Sequence, residues 1–349
     1  MTDDLEPIAP SEAVAMYLKD RDIAKSTRRA HRRRLRRLIR WCIDEDITNL
    51  NNLTGRDIHR FKIEEFDSKD DGGDYSKETI RSVMDTIRVF TRWCASIDAV
   101  PQGLSEKVQS PSPENVRSET LERDRAQAIL YYLDTYEYAS VRHCLLDLLW
   151  HAGFRLGEVR ALDVGDVNLD QNYVEVVHRP DEDTPLKNGE DGQRLVNISQ
   201  TTATVIRDYI GSVRDEVTDD YGRKPLLTSQ HGRRVQTNLR QIVYSVTRPC
   251  VYTNDCPHDR KIQECDAALK VSLASQCPSS VYPHALRRGS ITWHLREKMP
   301  KHLVSDRMDV SPDVLDKHYD ARSDKERMRQ RRDYLPFDDE NDEDDEKIE

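Results

Sequence analysis

The sequence predicts a mainly α-helical fold in two domains, with a small antiparallel β-sheet in the second (α+β). Three observations point there. Apolar residues recur at helical spacing from Ser11 to about Ile97, and again from Leu121 onward. The period shortens to two only at Tyr173, Val174, Val176 and Val177 and at Leu195, Val196 and Ile198. A segment rich in Pro, Ser and Gly, Val100–Thr120, separates the halves. The chain of 349 residues is long enough for two domains and a linker.

Element by element, Ala13, Met16 and Tyr17 open the first amphipathic stretch. Ser26 or Thr27 caps the next helix, roughly Arg28–Asp44, whose apolar stripe is Leu35, Leu38, Ile39 and Cys42. A third helix starts at Thr54-Gly55, a polar loop spans Asp67–Asp74, and a fourth helix covers Thr79–Ser96. The second domain opens with helices Leu121–Tyr132 and Ala139–Ala152. The two strands follow, joined by a polar hairpin loop, Arg179–Gly192. Helices resume at Thr201–Val217, Val235–Thr247 and Leu286–Glu297, with short helices to Tyr319 and one more across Asp320–Asp333. These boundaries set a helical N-terminal domain at 8–100, a linker at 101–120 and a second domain at 121–333. That second domain carries a cysteine-rich insert at 250–277, and an acidic, disordered tail follows at 334–349.

Composition narrows the class. Hydrophobic residues are 36% and charged residues 34% of the chain, with mean hydropathy −0.80, which is polar but sufficient for cores. No apolar run approaches the roughly 18 residues of a membrane span. Met1-Thr2-Asp3-Asp4 has neither a basic nor an apolar leader, so the cytoplasm is expected. The net charge of −10 argues against a nucleic-acid partner until its distribution is seen. Asp338–Glu349 holds nine acids and one lysine, leaving the rest near −2. Arg outnumbers Lys 39 to 15, and abundant acids with scarce Lys resemble the composition of proteins from salt-loving organisms, although high-GC codon usage favours Arg too.

Arg28, Arg29, Arg32, Arg33, Arg34, Arg36, Arg37 and Arg40 crowd one helix with no acid between them. A charge run is ordinarily a solvated face. An unbalanced one is also a phosphate-binding surface, and Arg28, Arg29, Arg32, Arg33, Arg36 and Arg37 are its candidate DNA contacts.

The seven cysteines divide. Cys42, Cys94 and Cys144 sit in apolar helical patterns as buried free thiols. Cys250, Cys256, Cys265 and Cys277 fall within 28 residues and supply four soft ligands, enough for a closed structural zinc site, with His258 able to replace one thiol. The bland alternative is four unrelated thiols in a surface insert.

Five residues in order carry a chemistry. Arg155 and Glu158 lie in Gly153-Phe154-Arg155-Leu156-Gly157-Glu158, a spacing that alone reads as a surface i,i+3 pair. Lys187 sits in the hairpin loop, and His284 and Arg287 are one helical turn apart in Pro283-His284-Ala285-Leu286-Arg287-Arg288. Tyr319 follows in Leu315-Asp316-Lys317-His318-Tyr319. Two guanidinium groups can clamp a phosphodiester and stabilise its transition state. A tyrosine hydroxyl can attack phosphorus, a lysine can protonate the leaving oxygen, and a histidine can move protons. This chemistry requires no metal and no nucleotide.

These motifs, in this order, resemble the tyrosine recombinase (phage integrase) family over about Ser11 to Tyr319, in an archaeal, halophile-like form with a cysteine-rich insert. HAGFRLGEVRALDVGDV is similar to the family's first arginine box, PHALRRGSITWHL to its His-x-x-Arg box, and the segment ending KHYD to its nucleophile box. The resemblance implies a core-binding, SAM-like helical domain and a catalytic domain that close around duplex DNA. It implies cleavage through a 3′-phosphotyrosyl bond, with strand exchange in a tetramer. Arg155 and Arg287 match the phosphate-binding arginines, His284 its box histidine, Tyr319 the nucleophile, and Lys187 the hairpin lysine, with Arg194 close by as a rival. Tyr334 is a weaker rival to Tyr319. Val310 departs from the family, standing nine residues before Tyr319 where a histidine is usual. This loss would slow turnover, be made good by His302 or His318, or mark a decayed, DNA-binding regulator. A type IB topoisomerase-like relaxing activity is a rival in the same chemistry, told apart by whether strands are exchanged between two sites or merely rotated, and a zinc-organised interaction module explains the cysteines alone.

Overall fold

The computed structural model describes residues 5–67, 75–112, 119–320 and 322–332. The expected acidic tail lies outside the described residues, as do most of the Asp67–Asp74 loop and the centre of the linker. Contacts divide the chain into two compact units, Met1–Val116 and Arg117–Glu349.

The first unit contains four helices, α1 (Pro10–Asp20), α2 (Lys25–Asp44), α3 (Gly55–Asp67) and α4 (Lys77–Ser96). Pro10 starts α1, where its missing N–H costs nothing. Ser76 caps α4, its hydroxyl accepting from the Thr79 N–H at 3.2 Å. The stripe of α2 is buried at Leu35, Leu38, Trp41 and Cys42, and that of α4 at Val83, Met84, Ile87, Phe90 and Cys94. Tyr17 meets Phe90 and Trp93 edge-on. Indole N–H groups that burial would strand find acids: Trp93 donates to Asp20 at 2.8 Å and Trp41 to Glu64 at 2.7 Å. Cys42, Cys94 and Cys144 are buried free thiols, as the pattern predicts, and burial raises the Cys42 thiol to about 12.

The segment expected as linker is part of this domain as far as it is described toward 112. Ala99, Val100, Leu104 and Val108 are buried in the helical core, and the Arg88 guanidinium donates to Val108 O at 2.8 Å and Ser110 Oγ at 2.9 Å. Isolated apolar residues without a period pack here because the α4 surface receives them one at a time.

The second unit is built around α6 (Val141–His151), which is buried at every position from His143 to Trp150. Around it stand α5 (Arg123–Tyr136), α7 (Leu156–Ala161), α8 (Gln200–Ser212), α9 (Gln236–Val246) and α12 (Pro283–Arg296). Short helices α10 (Pro249–Tyr252) and α11 (Asp266–Leu269) fall between α9 and α12. After α12 come α13 (Lys301–Arg307), α14 (Pro312–His318) and α15 (Asp324–Arg332).

The sheet has three antiparallel strands in order β1 (Val167–Asn168), β2 (Tyr173–Val176) and β3 (Arg194–Asn197), with Val174 opposite both Val167 and Val196. Val174, Val176 and Val196 face the core, while Glu175 and Leu195 face out. A second ribbon pairs β4 (Thr228–Ser229) with β5 (Gly232–Arg233). Three of these strands, β1, β4 and β5, were not expected, because two residues carry no readable period. Several helix ends also differ: α2 begins at Lys25 with Ala24 at its cap position, so Ser26 and Thr27 lie inside the helix rather than capping it, and α5 runs on to Tyr136. α8 stops at Ser212, short of Val217, where Arg214 folds the chain back by donating to Pro225 O and Val217 O. α12 begins at Pro283, three residues early, with proline at its first position.

Gly289 lets α12 lie against its neighbours. A Cβ there would run into the Leu121 carbonyl oxygen and come within 2.9 Å of the Trp150 ring. Gly289→Ala is therefore expected to destabilise the domain by about 2–3 kcal/mol, read as a lower urea midpoint at unchanged slope. An unchanged midpoint would refute this close packing.

Candidate active site

Of the five residues singled out in the second domain, His284 and Arg287 lie on α12, Arg155 just before α7, Lys187 in the β2–β3 loop and Tyr319 just after α14. Arg155 precedes α7 and follows Gly153, whose φ of +66° suits glycine and whose Cβ, if present, would meet the Met308 side chain at 2.6 Å. Arg287 is 1% exposed. Its Nη1 donates to the Gly153 carbonyl at 2.6 Å and its Nη2 to the Met308 carbonyl, while Nε has no partner among the described groups. One buried guanidinium thus ties the α6–α7 turn to the α13–α14 turn.

Glu158 is 3% exposed, which overturns its reading as half of a surface pair. It accepts from the Arg155 N–H at 2.8 Å, from Arg155 Nη1 at 2.9 Å and from Arg194 Nη2 at 3.1 Å, and Arg287 Nη1 stands 4.0 Å away. One buried carboxylate therefore serves three arginines. Removing such a partner typically costs about 3–5 kcal/mol. Glu158 at the third helical position thus caps the start of α7 by accepting the Arg155 N–H, and the Arg-x-x-Glu spacing was the one legible sign of it.

Arg155 also donates to both the carboxylate and the carbonyl of Asp309, a residue that sequence reasoning passed over. Asp309 has φ +47° and accepts from Asn188 Nδ2 at 2.8 Å, which anchors the Lys187 turn beside Arg155. Lys187 is exposed and has no hydrogen bond or ion pair among the described residues. Arg194, its rival, is spent on structure: besides Glu158, it donates to Gly192 O and Arg307 O, each at 2.8 Å. At the hairpin base, Arg179 pairs with Asp166 at 2.5 Å.

Tyr319 is 8% exposed and packs in an apolar cluster with Ile291, Leu295, Val304, Met308, Val310 and Leu315. Its carbonyl accepts from Thr292 Oγ1 at 2.8 Å. Its hydroxyl lies 3.0 Å from His284 Nε2, with the rings edge-on. His284 keeps a solvent-exposed edge. Packing of the ring lowers its pKa to about 4, aided by the charges of Arg288, Arg287, Lys187 and Arg155 in that order. The imidazole is therefore neutral at pH 7, and in the tautomer with Nε2 bare the Tyr319 hydroxyl donates to it. Arg287 falls to about 10, through burial and then the Arg155 charge, and stays protonated.

Val310 is buried beside Tyr319, where it fills space and presents no donor. His302 is exposed on α13, and the His318 side chain lies outside the described residues. Beyond Tyr319, Asp320 accepts from Arg322, and α15 is fastened by Gln330 Nε2 donating to Leu295 O at 2.9 Å.

Residues 119–325 match the Phage integrase family, and residues 14–96 match the Phage integrase, N-terminal SAM-like domain. The chain belongs to the phage integrase family. This integrase-family chain is 21% identical over 226 residues to tyrosine recombinase XerC of Chlamydia trachomatis serovar L2, covering 64% of this chain and 61% of that protein. It is 24% identical over 230 residues to tyrosine recombinase XerD of Staphylococcus epidermidis, covering 66% and 72%. The chain thus spans about three-fifths of the XerC relative. In fold it is similar to the Tn1549 transposon integrase in complex with a circular intermediate DNA, with TM-score 0.66 at 12% identity over 94% of this chain and 100% of that one. It is similar too to a lambda integrase tetramer bound to a Holliday junction, with TM-score 0.61 at 12% identity over 92% and 80%.

The arginine helix lies in the SAM-like domain. Arg29, Arg32, Arg33 and Arg36 are exposed and unpaired among the described residues. Arg28 is half-buried and donates to Arg21 O at 3.0 Å. Arg37 turns inward, pairing with Glu65 at 2.7 Å over the Tyr75 ring, and Arg34 donates to Thr86.

Proposed function

We propose that this chain is a site-specific tyrosine recombinase that cleaves and rejoins double-stranded DNA through a 3′-phosphotyrosyl intermediate. The observation that carries the proposal is a tyrosine hydroxyl 3.0 Å from a neutral histidine, in a site where Arg155, Arg287 and Lys187 shape that histidine's electrostatics. The Tyr319 hydroxyl oxygen attacks phosphorus. A Tyr Oη–P bond forms, the P–O5′ bond breaks, and the leaving 5′ oxygen takes a proton from Lys187. His284 Nε2 receives the tyrosine proton. Arg155 and Arg287 hold the non-bridging oxygens as charge grows. Arg29, Arg32, Arg33 and Arg36 track phosphates, so affinity falls with salt. The working assembly is a homotetramer on DNA, in the cytoplasm of an organism whose salt-loving composition matches this chain's. Its biology is integration or excision of a mobile element, or resolution of replicon multimers. Among the described residues no helix is long and apolar enough to cross a membrane.

The test is covalent capture. The protein is incubated with end-labelled DNA flanking its gene, across a salt series, and run on a denaturing gel. A protease-sensitive shifted band is expected. DNA binding without any band at any salt would overturn the proposal.

Two further outcomes follow from the geometry. Asp309 sits on Arg155, so an incoming phosphate must displace its carboxylate. Asp309→Asn keeps a residue that tolerates positive φ but removes the charge. DNA affinity should rise about tenfold, near 1.4 kcal/mol, by fluorescence anisotropy, and unchanged or weaker binding would contradict this. His284, with its pKa near 4, has already lost its proton well below pH 6.5. Single-turnover cleavage at subsaturating protein should therefore stay level from pH 8 down to about 5 and fall only as the ring protonates. Half-loss near pH 6.5 would show an unperturbed histidine.

A further inference from the structure

The segment between α9 and α12 holds four half-buried cysteines that the phosphoryl chemistry does not use. It has little core of its own. Its helices α10 and α11 are four residues each, and within 250–277 only Ala267 and Ala274 are buried apolar residues. A stretch this poor in burial needs another constraint to hold one conformation. It also leads directly into Pro283 and His284, so its order bears on the active site.

All four cysteines, Cys250, Cys256, Cys265 and Cys277, line one cavity of about 20 Å³, the room taken by one small particle. None is in a disulfide. Two arginines line the same cavity, Arg248 and Arg260. Arg248 is buried and donates to the Ala267 carbonyl, two residues after Cys265. We infer that the four cysteines form a structural zinc site that staples this segment ahead of α12. As they stand, no group of three or more His, Cys, Asp or Glu side chains among the described residues could hold a metal ion. The thiols must therefore draw inward by rotation, from backbones already grouped around one cavity.

The two guanidinium groups on the cavity wall supply positive charge beside the four thiols, which suits thiolates. On binding, four S–H bonds break, four Zn–S bonds form and four protons pass to solvent, with no change of oxidation state. The site then carries a net charge of −2, and Arg248 and Arg260 balance it. His258 lines the same cavity, its Nε2 hydrogen-bonded with Ser279 Oγ at 2.9 Å, and four thiols complete a tetrahedral set without it. Arg125 joins the two ends of the segment through Thr247 O at 2.6 Å and Ser279 O.

The test uses the full chain, purified in reducing buffer and supplied with zinc chloride, then passed through a desalting column. One zinc per chain is expected by mass spectrometry, released as a mercurial titrates four thiols. Cobalt(II) in its place should give a sulfur-to-cobalt charge-transfer band. Stripping the metal should lower the melting temperature by roughly 5–10 °C. Cys265→Ser should lose the zinc, whereas His258→Gln should keep it. If Cys265→Ser fails to fold, the mercurial release from wild type still decides. Absence of stoichiometric zinc, a disulfide among the four, or zinc retained in Cys256→Ser/Cys265→Ser would overturn the inference. None of these readouts requires DNA, so they stand apart from the recombinase reading.

Discussion

Tyr319→Phe is expected to abolish covalent capture of DNA, a loss of roughly 10⁴-fold or more, because no other described group is placed to form the phosphodiester bond to protein. DNA affinity should stay within about twofold of wild type, since the arginines proposed to meet phosphate are untouched. The fold should survive. The ring keeps its packing against Ile291, Leu295 and Leu315, and only the bond to His284 Nε2 goes, a net cost of about 1 kcal/mol. Denaturing gels and anisotropy on the same preparation separate the two effects. Tyr334→Phe is the control and should form adduct normally. A residual adduct in Tyr319→Phe that vanishes in the double variant would move the nucleophile to Tyr334.

Arg287→Ala should be costly twice. The side chain is 1% exposed and donates to the Gly153 and Met308 carbonyls. Truncation leaves both carbonyls buried without that donor and removes the link between the turns that carry Arg155 and Asp309. Stability should fall by about 3–5 kcal/mol, and cleavage by about 10³-fold. Arg287→Lys distinguishes the two effects. A lysine retains charge but cannot fork between two carbonyls and a phosphate. It should recover much of the melting temperature while cleavage stays about 10²-fold or more below wild type, measured in single turnover. Wild-type cleavage by Arg287→Lys would show that charge alone suffices.

The helices were legible because an amphipathic stripe repeats often enough to average out exceptions, as along α2 and α4. The order Arg155, Lys187, His284, Arg287, Tyr319 was legible because unusual residue types stood in recognisable spacings. The strands β1, β4 and β5 were not, since two residues hold no period and their partners are distant in sequence. Leu104 and Val108 were read as linker for the same reason: single apolar residues reveal burial only when a surface is there to receive them. Glu158 looked like an ordinary helix-surface acid, and Asp309 like nothing at all. Each became central only when α12 and the α13–α14 turn closed over Arg155.

Chemical identity along the chain was therefore enough to nominate groups for phosphodiester chemistry and to give the helical scaffold that carries them. It could not assign their partners. Whether a guanidinium faces phosphate, a carbonyl or a buried carboxylate depends on segments over a hundred residues apart meeting in one low-dielectric place. Burial is a property of that meeting. It turned Glu158 into the shared counter-ion, spent Arg194 on structure, left Lys187 exposed, and placed the Tyr319 hydroxyl on a neutral His284.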